Sequence, residues 1–149
     1  MENENCKQTE EILAEIYRNA QLALQSIADI LPQVEDEDLR SELKAQHEEY
    51  EQLSSKAAKL AKDRNIEVKE PNPLKKAMMW SSIKMSTLTD NSRQHIADMM
   101  IQGTVMGITA LRTSAGDVCR EGEKDEIIDL LDEMLQKEEE FEKRWKEYL

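Results

Sequence analysis

Few groups in this chain could do chemistry. His47 and His95 are the only histidines, and Cys6 and Cys119 the only cysteines. Lys44 stands three residues before His47, and Asp98 three residues after His95. No nucleophile–base pair, glycine-rich phosphate loop or zinc-ligand spacing is present, so no residue is assigned a catalytic role. What stands out instead is a set of polar residues on or beside apolar helical stripes: Asn19, Gln46, Tyr50, Gln102 and Glu138. Three amides, one phenol and one carboxylate suit a hydrogen-bonded network better than acid–base or redox work. A lone buried charge is costly, so Glu138 must be well hydrogen-bonded or carry a raised pKa.

These residues need helices to hold them. Ile12, Ile16, Ala20, Ala23, Ile27 and Ile30 follow one helical face, predicting a helix over 9–31 capped by Thr9 and ended by Pro32. The acidic run 35–38 suits the positive end of a second helix, whose stripe is Leu39, Leu43, Gln46, Tyr50, Leu53, Ala57 and Leu60. Residues 65–73 break the pattern, and Asn72 ahead of Pro73 can cap a helix carrying Leu74, Met78, Met79, Trp80, Ile83, Met85 and Leu88. Capping residues over 87–92, with Asn91 and Gln94 spaced as a capping box, predict a further break. A last helix over 123–148 carries Ile127, Leu131, Met134, Glu138, Phe141, Trp145 and Leu149, with Gly122 closing the loop before it.

Between them, 92–115 is the organising stretch. Residues 99–111 form an uncharged run of 13 with apolar side chains all round, which predicts a helix buried on every side. The run is too short for a bilayer, which asks for about 20 residues. Gly103, Gly107, Ala110 and Ser114 share one face without bulk, a seam for close helix packing, and Gly116 is a natural terminator. The methionines at helical spacing read as core filler. Met79 and Trp80 could be a lid over the core or a patch for a partner.

The composition bounds the rest. A chain of 149 residues fits a single domain, 1–149, and 35% charge with four glycines and three prolines is an all-α composition. A formal net charge of -12 argues against general nucleic-acid binding. Residues 56–76 hold seven basic and three acidic side chains, while 117–149 hold thirteen acidic and six basic. Either these are solvated helix faces, or the basic patch of one subunit meets the acidic patch of another. The polar N-terminus and two distant cysteines, read as free thiols, point to the cytoplasm.

Four long helices with two short loops and a long middle connection carrying an extra helix resemble the ferritin-like four-helix bundle. The stretch from His95 to Ile108 is similar to that of small uncharacterised ferritin-like proteins of Gram-positive bacteria. The resemblance implies a di-metal layer fed by carboxylates and Glu-x-x-His pairs. Here Lys44 stands where a glutamate should precede His47, His95 and Asp98 occur in reverse order, and the last helix has no histidine. In ferritin topology Asn19, Gln46, Tyr50, Gln102 and Glu138 fall at one level, where that family holds its metals. With a single carboxylate this layer is expected to be a hydrogen-bonded network without a cofactor. The alternative is iron or manganese held by Glu138 with His47. The function implied is a non-catalytic binding or structural protein; the alternative is a ferritin-like oxidase or metal store with a reduced ligand set. The outer face of the central helix (Ile101, Val105 and Ile108) and the middle connection predict a homodimer.

Overall fold

The computed structural model describes residues 8–119 and 125–149. They form five α-helices: α1 (Thr9–Ile30), α2 (Glu37–Asp63), α3 (Pro73–Thr89), α4 (Arg93–Asp117) and α5 (Glu126–Lys146). A single 3-10 turn at Leu31–Gln33, with Pro32 inside it, ends α1. No helix is long and apolar enough among the described residues to cross a membrane.

Local chemistry fixes the helix ends. Asp36 accepts from Leu39 N, Asn72 from Leu74 N, Ser92 from His95 N and Asp125 from Ile127 N, so four helices start on a side-chain cap. Ser92, rather than Asn91, caps α4 because its hydroxyl reaches the amide three residues on. Thr9 is not a cap: it is the first helical residue of α1, behind Gln8, which makes no side-chain cap bond. α2 ends in a Schellman motif. Asn65 adopts φ 55°, Ile66 N–H bonds Ala61 O at 2.8 Å and Asn65 N–H bonds Lys62 O at 3.3 Å. Gly116 does not terminate α4, which runs through it to Asp117. Gly122 lies outside the described residues.

Cross-helix contacts give the chain direction. At one end Asn91 reaches Gln33 O, Arg93 pairs with Asp36 at 3.1 Å, and Tyr148 reaches Asp38 O. At the other, Tyr17 bonds Glu70 at 2.9 Å, Arg64 bonds Asp125 at 3.0 Å, and Ser114 bonds Glu15. So α1, α3 and α5 run one way while α2 and α4 run the other. α1 touches every other helix, α4 lies against α5, and α2 against α5.

The core is the meeting of the apolar stripes. Ile12, Ile16, Ile27 and Ile30 of α1, Leu39, Leu43, Leu53 and Ala57 of α2, and Ile127, Leu131, Met134, Phe141 and Trp145 of α5 are buried. Phe141 and Tyr50 pack with ring centroids 5.2 Å apart. At ~1.5–3 kcal/mol per large side chain, this burial is the main force holding the helices together.

α4 departs from the expectation of burial on every side. Ile96, Ala97, Ile108 and Leu111 are buried, yet Val105 and Met106 are exposed. α3 explains why. It reaches α4 only near its start, where Ser86 Oγ lies 2.7 Å from His95 Nε2 and bonds Met99 Sδ. Its inward side, with Met79 3.3 Å from Ser26 Oγ, is turned to α1 instead. Met79 is half-buried against α1, Ile83 is the α3 side chain packed on the core, and Trp80 is exposed. The outer face of α4 consists of Val105 and Met106, and not of Ile108, which is buried, or of Ile101, which is half-buried.

One further expectation is corrected. Cys119 is disulfide-bonded and not a free thiol; Cys6 lies outside the described residues. Part of the basic segment also finds acidic partners inside the chain. Lys56 pairs with Glu133 at 2.7 Å and Arg64 with Asp125 at 2.8 Å, because α2 and α5 are antiparallel neighbours.

Candidate functional site: a polar layer around Glu138

Glu138 sits on the α5 stripe one turn from Met134 and three residues from Phe141, so helical periodicity carries a carboxyl into the core. Its side chain is buried. Tyr50, which shares the inner face of α2 with Gln46, faces it closely enough for its phenol to act on the carboxyl. From α1, Asn19 donates Nδ2–H to Gly107 O of α4 at 3.3 Å. A Cβ at Gly107 would lie 2.6 Å from Glu138 Oε2 and 3.1 Å from Asn19 Oδ1. The missing side chain at Gly107 is what lets the carboxyl occupy the centre. Four elements thus converge: Asn19 from α1, Tyr50 from α2, Gly107 from α4 and Glu138 from α5.

Burial pushes the Glu138 carboxyl up to about 8, against the Tyr50 phenol, which acts to lower it. The group is therefore mostly neutral at pH 7. Among the described residues Oε1 has no hydrogen-bond partner. An ionised carboxylate would leave charge there unsolvated, while a neutral acid costs far less. Burial, and then the adjacent Glu138, hold the Tyr50 phenol well above its usual value, so it too stays protonated.

Gln46 is buried on the same helix face, and its Nε2 lacks a partner among the described residues. Gln102 is not in the layer. It is exposed and donates to Asp98 at 2.8 Å, because it faces the side of α4 that no helix covers. The small-residue seam divides likewise. Gly107 and Ser114 meet α1, through Asn19 and Glu15 respectively. Gly103 and Ala110 are exposed, and a Cβ at Gly103 would meet nothing within 4 Å. At 100° per residue these two lie roughly 20–60° further round the helix, past the edge of the contact. The Gly107 carbonyl was not among the polar groups marked by side-chain type. Its signal was the glycine itself, opposite a buried carboxylate.

This set does not fit a di-iron or di-manganese centre. It has one carboxyl, held neutral, where two such ions need several anionic ligands. Among the described residues no group of three His, Cys, Asp or Glu side chains could hold a metal ion. The alternative pairing of His47 with Glu138 is not assembled. His47 is partly exposed and bonds Glu51 at 3.3 Å, one residue round the helix from inward-facing Gln46. His95 is turned to Ser86 at the α3–α4 junction.

A second cluster lies at the end of the bundle, where Arg93 pairs with Asp36 and Asp38 and stacks 5.0 Å from the Tyr148 ring. Its groove is shallow and bordered by Asp38, Glu42 and Glu147. These contacts tie the starts of α2 and α4 to the end of α5, and the groups are already matched to one another.

No family model, curated protein or solved structure matches this chain.

Proposed function

We propose that this chain is a ferritin-like bundle in which a proton-bearing polar layer replaces the metal layer. It acts as a non-catalytic binding or structural protein and as a homo-oligomer. The helix directions support the ferritin-like assignment: a short α1–α2 hairpin, a short α4–α5 connection, and a long crossover through α3 that returns the chain to the end where α2 began. The observation that carries the functional reading is the environment of Glu138: a neutral carboxyl packed against Gly107, with no second carboxylate acting on it among the described residues. Because Cys119 is disulfide-bonded, the free-thiol argument for a cytoplasmic setting no longer applies.

The test is carbon NMR on protein labelled at glutamate side chains, with Glu138→Gln assigning the signal. The Glu138 carboxyl carbon is expected to titrate with a midpoint near 8 and to keep its shift when iron or manganese is added. A midpoint in the ordinary carboxylate range, or a shift on metal addition, would overturn the reading.

A further inference from the structure

α3 is the least enclosed helix of the fold. Its only buried residue is Thr87, while Leu74, Met78, Met85 and Leu88 are 68, 66, 71 and 76% exposed. These four are not scattered. With Ser81 they follow steps of four, three, four and three residues, the 3.5-residue period of a coiled-coil seam. The seam reads nearly the same in both directions about Ser81: leucine at each end, methionine inside it, a small exposed residue at the centre. Ala77, also exposed, lies one turn from Ser81 and adds no bulk there. A sequence with this near-mirror order suits an antiparallel copy of itself, in which the Leu74 end lies over the partner's Leu88 end and the methionine levels meet.

The charges agree with that direction. The first turn of α3 holds Lys75 and Lys76 and no acid, and its last turn holds no base, the reverse of what a helix dipole favours. Lys76 is engaged by Glu70 at 3.5 Å, and Lys84 stacks 4.9 Å from the Trp80 ring, whereas Lys75 is exposed. At the other end Asp90 is exposed, with Oδ1 accepting from Ser92 N. Antiparallel pairing brings the basic first turn of each copy to the partner's negative helix terminus and to its Asp90. Parallel pairing would stack the lysines of both copies together.

We infer that α3 is the dimer interface, pairing antiparallel with α3 of a second copy about a two-fold axis near Ser81, with Lys75 and Asp90 matched across the rim. This rests on the homo-oligomer reading above and names its surface and partner. A two-fold contact of this kind closes on itself and leaves no seam to propagate.

Light scattering on the full chain at micromolar concentration tests it, with circular dichroism confirming helicity of each variant. The wild type is expected at twice the 17.2 kDa chain mass. Met85→Glu and Leu88→Glu are each expected to give the single-chain mass with helicity retained, since both positions are exposed. Lys75→Asp and Asp90→Lys should each weaken the dimer about tenfold, as two symmetric attractions become repulsions. The double variant should recover to near wild type. A dimeric wild type whose mass is unchanged by Met85→Glu and Leu88→Glu would overturn the α3 interface while leaving the homo-oligomer reading standing. Loss of the dimer in the apolar variants without recovery in the charge swap would overturn the antiparallel pairing. A monomeric wild type would overturn both readings, and one that also sediments with anionic vesicles would assign the face to a lipid surface.

Discussion

At the scale of single residues, the decisive quantity is the proton on Glu138. Its folded pKa is about 8 against an ordinary value of 4.5. The unfolded chain therefore loses this proton at lower pH than the folded one. Between those values the folded state binds more protons, so stability is present below about pH 4.5 and falls as pH rises toward 8. The slope from this one group approaches ~1.4 kcal/mol per pH unit. Thermal melting from pH 5 to 8 should show a Tm decline in the wild type that is flattened in Glu138→Gln, which stays neutral throughout. Equal pH slopes in the two proteins would mean that Glu138 is ionised in the fold. The polar character of this position was legible in the sequence, since a carboxylate between Met134 and Phe141 breaks an otherwise apolar stripe. Its partners were only partly legible. Side-chain type pointed to Gln102, whereas the group that meets Asn19 is the main-chain carbonyl of Gly107, signalled only by the missing side chain there.

At the scale of elements, capping chemistry and periodicity specify nearly all the helix boundaries. Asp36, Asn72, Ser92 and Asp125 each accept a bond from an amide two or three residues on. The break at 90–92, for which the chain needed only Asp90, Asn91 and Ser92, follows from the same rule. Hydropathy misled at α4. Its apolar side chains face all round, but what covers a helix is decided by its neighbours, and α3 packs on α1. The same geometry separates the two interior glycines. Gly103→Ala adds a Cβ in open space and removes the backbone-entropy cost of glycine, so it should stabilise by ~0.5–1 kcal/mol. Gly107→Ala places a Cβ 2.6 Å from a buried carboxyl oxygen and should destabilise, as overpacking does, by ~1–3 kcal/mol. Urea denaturation of the two variants checks this; a Gly107→Ala protein as stable as Gly103→Ala would show that the carboxyl moves aside freely.

At the scale of the whole molecule, two features set what this protein can do. The first is an acidic chain, net -12, whose most exposed apolar helix carries three lysines and no acid. The contrast supports the proposed pairing of two copies through α3. The second is a bundle centre that holds a protonated carboxyl beside Tyr50 and Gly107. The all-α class was readable from composition and spacing. The exposed seam of α3 was not, because its leucines and methionines read equally well as core. The central claim is that the polar layer binds no redox metal, and it is tested most directly by elemental analysis. The protein should be purified without a histidine tag from cells supplied with iron and manganese. The expected result is far less than one iron or manganese per chain. One or more per chain, lost in Glu138→Gln, would contradict it.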